Sequence, residues 1–428
     1  MSIVRSNRAI RTALLVALGT VAWSPMAVAF QKAPPVAGAP SLAAKGFSII
    51  YQFPINVQNY SSGGVVLDRS GDLFGATYSG GTNVYGDVYK LTPSGGSYTF
   101  TDIHDFTGPG DGKYPSTESP LLDAKGNLFL TATAGGAGNA GTAIKLSSSG
   151  SAYTETALYS FNTTNGGEPV GSLISSGGKL YTTTYVGGAK GLGAIVALSP
   201  STLSEKLLHS FSGSPADGQS PVANLVADTQ GNLYGTTQSG GSGGGTGCGG
   251  IGCGTVFKFV PTRTGGTETV LWNFGVSTND GMNPYAPAIV DSAGNLYGTT
   301  QYGGVVGVGV AGTHGTVWKL TPSGGSYVET ILYSFGAAGG NDGCYPLGGV
   351  ILVGTTLYGT TSGCGATNNG TIFRVSTTGT NYAILHNFND TDGKSPEFAA
   401  WSIKGKTLYG TTSVGGIGGT GVVWRYVL

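Results

Sequence analysis

The segment Asn295-Leu296-Tyr297-Gly298-Thr299-Thr300 belongs to a pattern that recurs along the chain and decides its fold. Its hydrophobic–aromatic pair occurs seven times, at spacings of 55, 52, 53, 63, 61 and 51 residues. The seven pairs are Leu73-Phe74, Leu128-Phe129, Leu180-Tyr181, Leu233-Tyr234, Leu296-Tyr297, Leu357-Tyr358 and Leu408-Tyr409. A steady period of this size indicates one supersecondary unit repeated along the chain.

Each copy contains three further runs of β-branched and aromatic residues at period two, bounded by Gly, Asn and Ser, as is typical of strands. A short apolar run precedes the pair, as in Ala288-Ile289-Val290. Another run follows a glycine, as in Gly315 to Leu320, and the last ends in phenylalanine, as in Leu332-Tyr333-Ser334-Phe335. Four strands in a repeat of about 50 residues predict the blade of a β-propeller.

The seventh copy of the last run is displaced to the N-terminus, where it occurs as residues 47–53. We therefore predict an all-β, seven-bladed β-propeller of four-stranded blades. In the last blade, residues 47–53 supply the outer strand and pair antiparallel with Gly421 to Tyr426, which leaves no open sheet edge. An open stack of solenoid repeats is the alternative, but it gives no reason for the displaced copy.

Several linked motifs resemble a known family. Within a repeat, a segment like Asn295 to Thr300 is followed by Gly-Gly. A run like Gly254-Thr255-Val256-Phe257-Lys258 comes next, and then one like Leu332-Tyr333-Ser334-Phe335. Over about residues 47–428 the chain resembles the GloVer tandem repeat of exported bacterial choice-of-anchor proteins. The resemblance implies a propeller and export. It implies no established activity and no catalytic residues.

Composition excludes two classes of protein. The chain has 78 Gly and 19 Pro in 428 residues, and each interior glycine costs a helix about 1 kcal/mol relative to alanine, so a helical bundle is excluded. Its 21 basic and 21 acidic residues leave no net positive charge to attract phosphates, which excludes a polybasic nucleic-acid binder.

The N-terminal pattern predicts export. Arg5, Arg8 and Arg11 precede an apolar stretch from Ala13 to Trp23, and Ala27-Val28-Ala29 has the small residues of a cleavage site. We predict a signal peptide over 1–29, an extended Pro/Ala-rich leader over 30–45 and a single propeller over 46–428. An uncleaved signal anchor is the alternative. The mature protein is expected to be secreted, periplasmic or on the cell surface, without a membrane span, and monomeric.

The four cysteines allow three pairings. Export favours oxidation, so we favour two local bridges over free thiols or a four-cysteine zinc site. The bridges are Cys248–Cys253, within one glycine-rich loop, and Cys344–Cys364, which flank the first two strands of the sixth blade.

Three of the four histidines are interpreted as packing residues. His104, His209 and His386 occupy the repeat position that holds an aromatic residue elsewhere, so catalysis or metal binding is the less favoured alternative. The aromatic residues at that position are Tyr51, Tyr159, Trp272 and Tyr333. His314 has no repeat equivalent and lies in a long Gly-rich loop.

A recurring Asp-Gly-x-x-Pro segment leads into the blades. Its aspartates are Asp111, Asp217, Asp280, Asp342 and Asp392. We interpret them as turn residues: Asp accepts local backbone N–H groups, Gly adopts a positive φ, and Pro starts the inner strand. A ring of carboxylates that binds cations at one mouth of the channel is the alternative.

One face of the propeller is predicted to carry function, because the long loops and the connections between blades share it. Blades four and five have the longest insertions there, Ser239 to Cys253 and Gly303 to His314. We predict that Tyr285, Tyr302, Tyr345 and His314 contact a ligand, an extracellular glycan or a protein. Packing of the tyrosine rings against their own loops is the alternative. No catalytic residue, metal site or cofactor is identified. A polysaccharide lyase or hydrolase with its site at the channel mouth is the alternative function, and a spacer without a ligand is a third.

Overall fold

The repeats fold as seven antiparallel sheets of four strands, arranged as the blades of a β-propeller. The computed structural model describes residues 45–54, 63–150, 152–244, 248–263, 265–305, 314–397 and 401–428. These residues belong to one compact unit, Gly38–Leu428. The predicted signal peptide lies outside the described residues.

Within each blade the strands pair in chain order. Their bounds in blades 1 to 4 are Val66–Leu67, Leu73–Thr77, Asp87–Ser94 and Ser97–Asp105; Leu121–Leu122, Leu128–Ala134, Thr142–Ser149 and Ala152–Ser160; Ile174–Ser176, Lys179–Thr184, Ala194–Ser199 and Ser204–Ser210; and Val226–Ala227, Leu233–Thr237, Thr255–Pro261 and Gly266–Asn273. In blades 5 to 7 they are Ile289–Val290, Leu296–Thr300, Thr316–Ser323 and Ser326–Ser334; Ile351–Val353, Thr356–Thr361, Thr371–Ser376 and Ala383–Asn387; and Ser402–Lys404, Thr407–Thr412, Val422–Val427 and, from the N-terminus, Gly46–Gln52.

Short strands add to this pattern on the loop face. Lys113–Pro115 pairs with the second strand of blade 2, Gly218–Gln219 pairs with Ser239–Gly240, and Gly281–Met282 pairs with Tyr302–Gly303. They tie the connection between two blades to the second strand of the next blade or to the loop that follows that strand.

The ring closes as predicted. Gly46–Gln52 pairs antiparallel with Val422–Val427, with Phe47 opposite Tyr426 and Gln52 opposite Val422. The displaced seventh copy is therefore the outer strand of blade 7, and it covers an edge that would otherwise be unpaired.

The first strands lie at the axis and the fourth strands at the rim. The amide of Asn224, just before the first strand of blade 4, donates to Glu118 Oε2 over 3.5 Å. Glu118 precedes the first strand of blade 2. Because all of blade 3 lies between them along the ring, these two residues can meet only near its centre.

The Gly-Thr-Thr motif is explained by contacts of each residue. A Cβ on Gly298 would lie 2.4 Å from Cζ2 of Trp318, which is fully buried on the paired third strand. Blades 1, 4, 6 and 7 repeat this pairing of glycine with an aromatic ring, through Gly75–Tyr89, Gly235–Phe257, Gly359–Phe373 and Gly410–Trp424. Blades 2 and 3 place Leu130 opposite Ile144 and Thr182 opposite Val196. Where the third-strand residue is smaller than an aromatic ring, the second-strand residue opposite it is therefore larger than glycine.

The first threonine of the motif joins neighbouring blades. Thr299 Oγ1 donates to the Gly348 carbonyl of the next blade over 3.0 Å, and Thr236 and Thr411 make the same bond to Ala286 and Gly63. The second threonine joins strands within a blade, as where the hydroxyl oxygens of Thr300 and Thr316 lie 2.8 Å apart.

Candidate functional site

Two exposed tyrosines meet on the loop face between blades 5 and 6. Tyr302 lies in the loop after the second strand of blade 5, and Tyr345 lies in the connection to blade 6. Their side chains are 38% and 37% exposed, and their ring centroids are 5.7 Å apart at an angle of 70°. The His314 ring lies nearly parallel to that of Tyr345, with centroids 5.9 Å apart. We call these three residues the aromatic cluster.

The backbone of Tyr345 is fixed on both sides. Its φ is +55°, a left-handed conformation that disfavours residues with a side chain. Its N–H donates to the His314 carbonyl over 2.8 Å, and its carbonyl accepts the N–H and the hydroxyl of Ser362, over 3.1 and 2.9 Å. Residues held in this way keep a strained conformation because their surroundings determine it.

A disulfide stands directly beside Tyr345. Cys344 and Cys364 are bonded, with Cα atoms 5.3 Å apart, and Cys344 exchanges two backbone hydrogen bonds with Gly363. Cys248 and Cys253 form the second bridge, in the long loop of blade 4. Both predicted pairings are confirmed, and the alternatives of free thiols and a four-cysteine zinc site are wrong.

Tyr285 lies close to the cluster but is half-buried. It interacts electrostatically with Tyr302, and burial together with Tyr345 and Tyr285 raises the pKa of Tyr302. The Tyr302 phenol is therefore protonated at neutral pH and can donate a hydrogen bond. Of the insertion that precedes His314, the structure describes residues 303–305, and residues 306–313 lie outside the described part.

Three other loop-face tyrosines form a separate group. Tyr78 and Tyr114 stack between blades 1 and 2 with centroids 5.1 Å apart, and Tyr85 lies edge-on to Tyr114. Tyr114 has the same left-handed conformation before a proline as Tyr345, with φ +61°. This second tyrosine pair therefore lies on the loop face in a different sector of the ring from Tyr302 and Tyr345.

The histidines of the fourth strands reach the aspartates of the Asp-Gly-x-x-Pro segments. His104 Nε2 lies 3.2 Å from Asp111, His209 Nε2 lies 3.2 Å from Asp217, and His386 Nε2 lies 3.1 Å from Asp392. Between blades 5 and 6 a tyrosine makes this contact, since Tyr333 donates to Asp342 over 2.8 Å. Each histidine also packs edge-on against a phenylalanine two residues later, over 4.9 Å in all three cases. Packing, as interpreted from the sequence, is thus part of their role.

The aspartates do act as turn residues. Asp111 accepts the N–H groups of Thr107 and Gly108, and Asp217 accepts those of Ser212 and Gly218. The prediction of a positive φ is right for Gly112, Gly343 and Gly393 and wrong for Gly218 and Gly281. At the last two a Cβ would strike the side chains of Thr237 and Thr300, so the reason for glycine there is space.

These carboxylates do not form an open ring at the channel mouth. Asp111, Asp217, Asp280 and Asp342 are 3–6% exposed. Asp111, Asp217 and Asp342, together with the less buried Asp392, pair with side chains of the fourth strands, which lie at the rim. These aspartates therefore do not form the alternative site, a ring of carboxylates that binds cations at one mouth of the channel.

The next blade adds a third group to each of these contacts. In blades 2 to 5 it is a glutamate at one register position of the fourth strand, opposite an apolar residue of the third: Glu155, Glu205, Glu268 and Glu329. At other interfaces an aromatic ring stands there. Phe47 stacks on His386, Tyr382 on Tyr333 and Phe100 on Tyr51, over 3.8, 3.7 and 5.0 Å. This position was not among the residues predicted from the sequence, although the recurrence of one glutamate in four consecutive blades was a signal for it.

Burial sets the ionisation of these interface groups. It raises the pKa of Glu268 to about 7, aided by the nearby Asp217 carboxylate. Burial alone would raise the pKa of Asp217 as well, but hydrogen bonds from His209 and the Ser212 N–H outweigh it, and the pKa is lowered. At neutral pH the interface of blades 3 and 4 thus holds an ionised aspartate beside a glutamate that binds its proton more strongly than usual.

A model of one protein family matches most of the chain. It is described as the Gloeobacter/Verrucomicrobia repeat, and it matches residues 40–248 and 304–428. The chain belongs to the Gloeobacter/Verrucomicrobia repeat family. This is the family that the linked motifs resembled. In the part of the chain that the structure describes, no helix is long and apolar enough to cross a membrane. No curated protein matches the sequence.

Three solved structures are similar to this family member at low sequence identity. A putative 6-phosphogluconolactonase from Bacteroides fragilis is 14% identical with a TM-score of 0.50, over 79% of this chain and 86% of that one. The N-terminal domain of Nup159 is 11% identical with a TM-score of 0.48, over 91% and 98%. TolB from Acinetobacter baumannii is 14% identical with a TM-score of 0.39, over 68% of this chain, and the match spans 58% of TolB. At 14% identity the likeness to the lactonase shows the fold alone.

Proposed function

We propose that this protein is an exported, non-catalytic propeller that binds an extracellular glycan through the aromatic cluster of Tyr302, Tyr345 and His314. The observation that carries the proposal is the exposed pair Tyr302–Tyr345 on a backbone that is fixed before any ligand arrives. Rigid aromatic rings bind with little loss of side-chain entropy, so such a pair favours recognition.

A sugar is the ligand class that suits these groups. The faces of tyrosine rings pack against the apolar C–H faces of sugar rings, while their hydroxyls hydrogen-bond at the edge. Tyr302 keeps its proton at neutral pH, because burial and its neighbours raise its pKa, so it remains a donor toward sugar oxygens. The His314 ring, parallel to Tyr345, extends the aromatic surface.

Three observations support export. The N-terminal sequence has the charge, apolar length and Ala27-Val28-Ala29 site of a signal peptide. All four cysteines are paired in two disulfides, which persist in oxidising compartments. Membership of the repeat family, whose resemblance implied export, agrees with both.

A glycan array with the protein secreted from its full-length gene tests the function. A glycan that binds is then titrated against the parent and against Y302A/Y345A, for which we expect at least a tenfold loss of affinity. The control is Y78A/Y114A, which removes the second tyrosine pair from the same face and is expected to bind like the parent. Binding by Y302A/Y345A at the parent's affinity would contradict the site.

Other results of that screen would contradict the function itself. If the array stays empty while a surface peptide is captured, the ligand is a protein. If the bound glycan is cleaved, measured as new reducing ends or an unsaturated product, the protein is an enzyme of the polysaccharide-acting kind.

A further inference from the structure

The interface between blades 3 and 4 brings together three groups that can bind a metal ion. They are His209 from the fourth strand of blade 3, Asp217 from the connection and Glu268 from the fourth strand of blade 4. One ligand atom from each residue lies within 4.8 Å of those from the other two. Among the described residues, this is the one set of three or more His, Cys, Asp and Glu side chains with such a spacing.

The fold does not require a carboxylate at the position of Glu268. The equivalent residue between blades 6 and 7 is Phe47, whose ring stacks on His386 over 3.8 Å and covers the His386–Asp392 pair. Between blades 1 and 2, His104, Asp111 and Glu155 occupy the same three positions, but their ligand atoms are not gathered within the same distance. Within the described part of the chain, the close approach of three ligand atoms is thus particular to the interface of blades 3 and 4.

The glutamate is half-buried, and one of its two carboxylate oxygens is shielded from solvent without a hydrogen-bond partner among the described residues. This atom is Glu268 Oε1. A buried polar atom of this kind costs stability unless another group or an ion satisfies it. A cation next to Glu268 Oε1 would satisfy it.

The aspartate is already oriented for binding. Asp217 is 6% exposed, and the N–H and hydroxyl of Ser212 donate to its Oδ2 while the N–H of Gly218 donates to Oδ1. Metal-ligating carboxylates are characteristically fixed by such outer hydrogen bonds, which position the ligand atom before the ion arrives.

We propose that His209, Asp217 and Glu268 bind one divalent transition-metal ion, of which Zn²⁺ is the natural probe. An imidazole nitrogen with two carboxylate oxygens is a donor set suited to Zn²⁺, and three protein ligands leave a position for water. The ion joins the fourth strands of two blades at the rim and lies two blade interfaces away from the aromatic cluster. The site is therefore separate from the proposed glycan site and does not depend on it.

Titration of the chelator-stripped protein with Zn²⁺ by calorimetry tests the proposal, with Co²⁺ absorption as a second readout. We expect one tight Zn²⁺ per chain and a rise of several degrees in Tm. The variant E268Q keeps the shape of the side chain and removes a ligand charge. The variant H209Y removes the imidazole, and the repeat itself places Tyr159 and Tyr333 at that position. Each variant is expected to lose at least tenfold in affinity for Zn²⁺ and the Tm rise.

The matched control is H386Y, the same substitution at the interface where Phe47 replaces the carboxylate. It is expected to bind Zn²⁺ like the parent. Equal Zn²⁺ affinity of E268Q and the parent overturns the proposal, as does a parent that binds no Zn²⁺. A loss of affinity as large in H386Y as in H209Y also overturns it. Because E268Q is isosteric, it decides the matter even if H209Y fails to fold.

Discussion

Phe47 lies flat on His386, with ring centroids 3.8 Å apart and ring planes 3° from parallel. The two residues are far apart in the chain and belong to the fourth strands of neighbouring blades, Phe47 to blade 7 and His386 to blade 6. Phe47 also lies edge-on to Phe388, 5.6 Å away. The N-terminal strand thus closes the ring through its ladder with blade 7 and through a ring contact with blade 6.

The variant F47A is expected to lower the free energy of unfolding by about 2–4 kcal/mol, because it removes a large packed ring and leaves a gap beside His386. Urea denaturation followed by tryptophan fluorescence measures the change. The control V328A truncates a side chain that is 53% exposed on the fourth strand of blade 5, and it is expected to change stability by less than about 0.5 kcal/mol. Equal stability of F47A and the parent would show that the closing strand is held by its backbone ladder alone.

The variant G298A is expected to destabilise the protein by about 2 kcal/mol, since the new Cβ would lie 2.4 Å from Trp318 Cζ2 in a packed core. In blade 2 the positions equivalent to Gly298 and Trp318 hold Leu130 and Ile144, which face each other. The double variant G298L/W318I copies that pair into blade 5. Its loss in free energy of unfolding should be smaller than the summed losses of G298L and W318I by at least about 1 kcal/mol, measured by a double-mutant cycle in urea. Simple additivity would mean that the two positions are not coupled.

The variant E118Q tests a buried carboxyl near the axis. Burial raises the pKa of Glu118 from 4.5 to about 8, so the folded state favours its protonated form. The stability that Glu118 contributes is present below pH 4.5 and is lost as the pH rises toward and through 8. We expect E118Q and the parent to be similarly stable at pH 5, and E118Q to be more stable by at least about 2 kcal/mol at pH 9.

The control for this pH dependence is D123N. Burial alone would raise the pKa of Asp123, but hydrogen bonds from the Asn127 side chain, the Asn127 N–H and the Lys125 N–H outweigh it, and the pKa is lowered. Asp123 is ionised throughout pH 5–9, so D123N is expected to keep the parent's slope of stability against pH in that range. Parallel pH profiles of E118Q and the parent would contradict the prediction.

The double variant C344S/C364S is expected to lose about 3 kcal/mol of stability, because the bridge closes a loop across a sequence separation of 20 residues. The corresponding loss for C248S/C253S, with a separation of 5, is about 2 kcal/mol on the same chain-entropy argument. Thermal and urea unfolding of both variants measure the order. The Cys344–Cys364 bridge is also expected to fix Tyr345, so C344S/C364S should weaken the affinity for a glycan found on the array, whereas C248S/C253S should not. Equal glycan affinity of the two variants would contradict that role.

The blades, the closing strand and the disulfides could be predicted from the sequence because each depends on information that the repeat contains. Period-two runs between turn residues specify strands, and a repeat of four runs specifies a blade. The one displaced run, 47–53, left a single place for the ring to close. Cys248 and Cys253 are near each other in the chain, and Cys344 and Cys364 flank a pair of adjacent strands, so geometry within one blade was enough.

Only the tertiary structure decided which side chains meet between blades. His209 and Glu268 are separated by a whole repeat, and their approach depends on the angle at which two blades pack, which no local pattern encodes. The same packing brought the predicted Tyr302 and Tyr345 together, and it placed a second tyrosine pair, Tyr78 and Tyr114, between blades 1 and 2. Strand pairing follows from sequence periodicity, whereas contacts across interfaces follow from the shape of the whole ring.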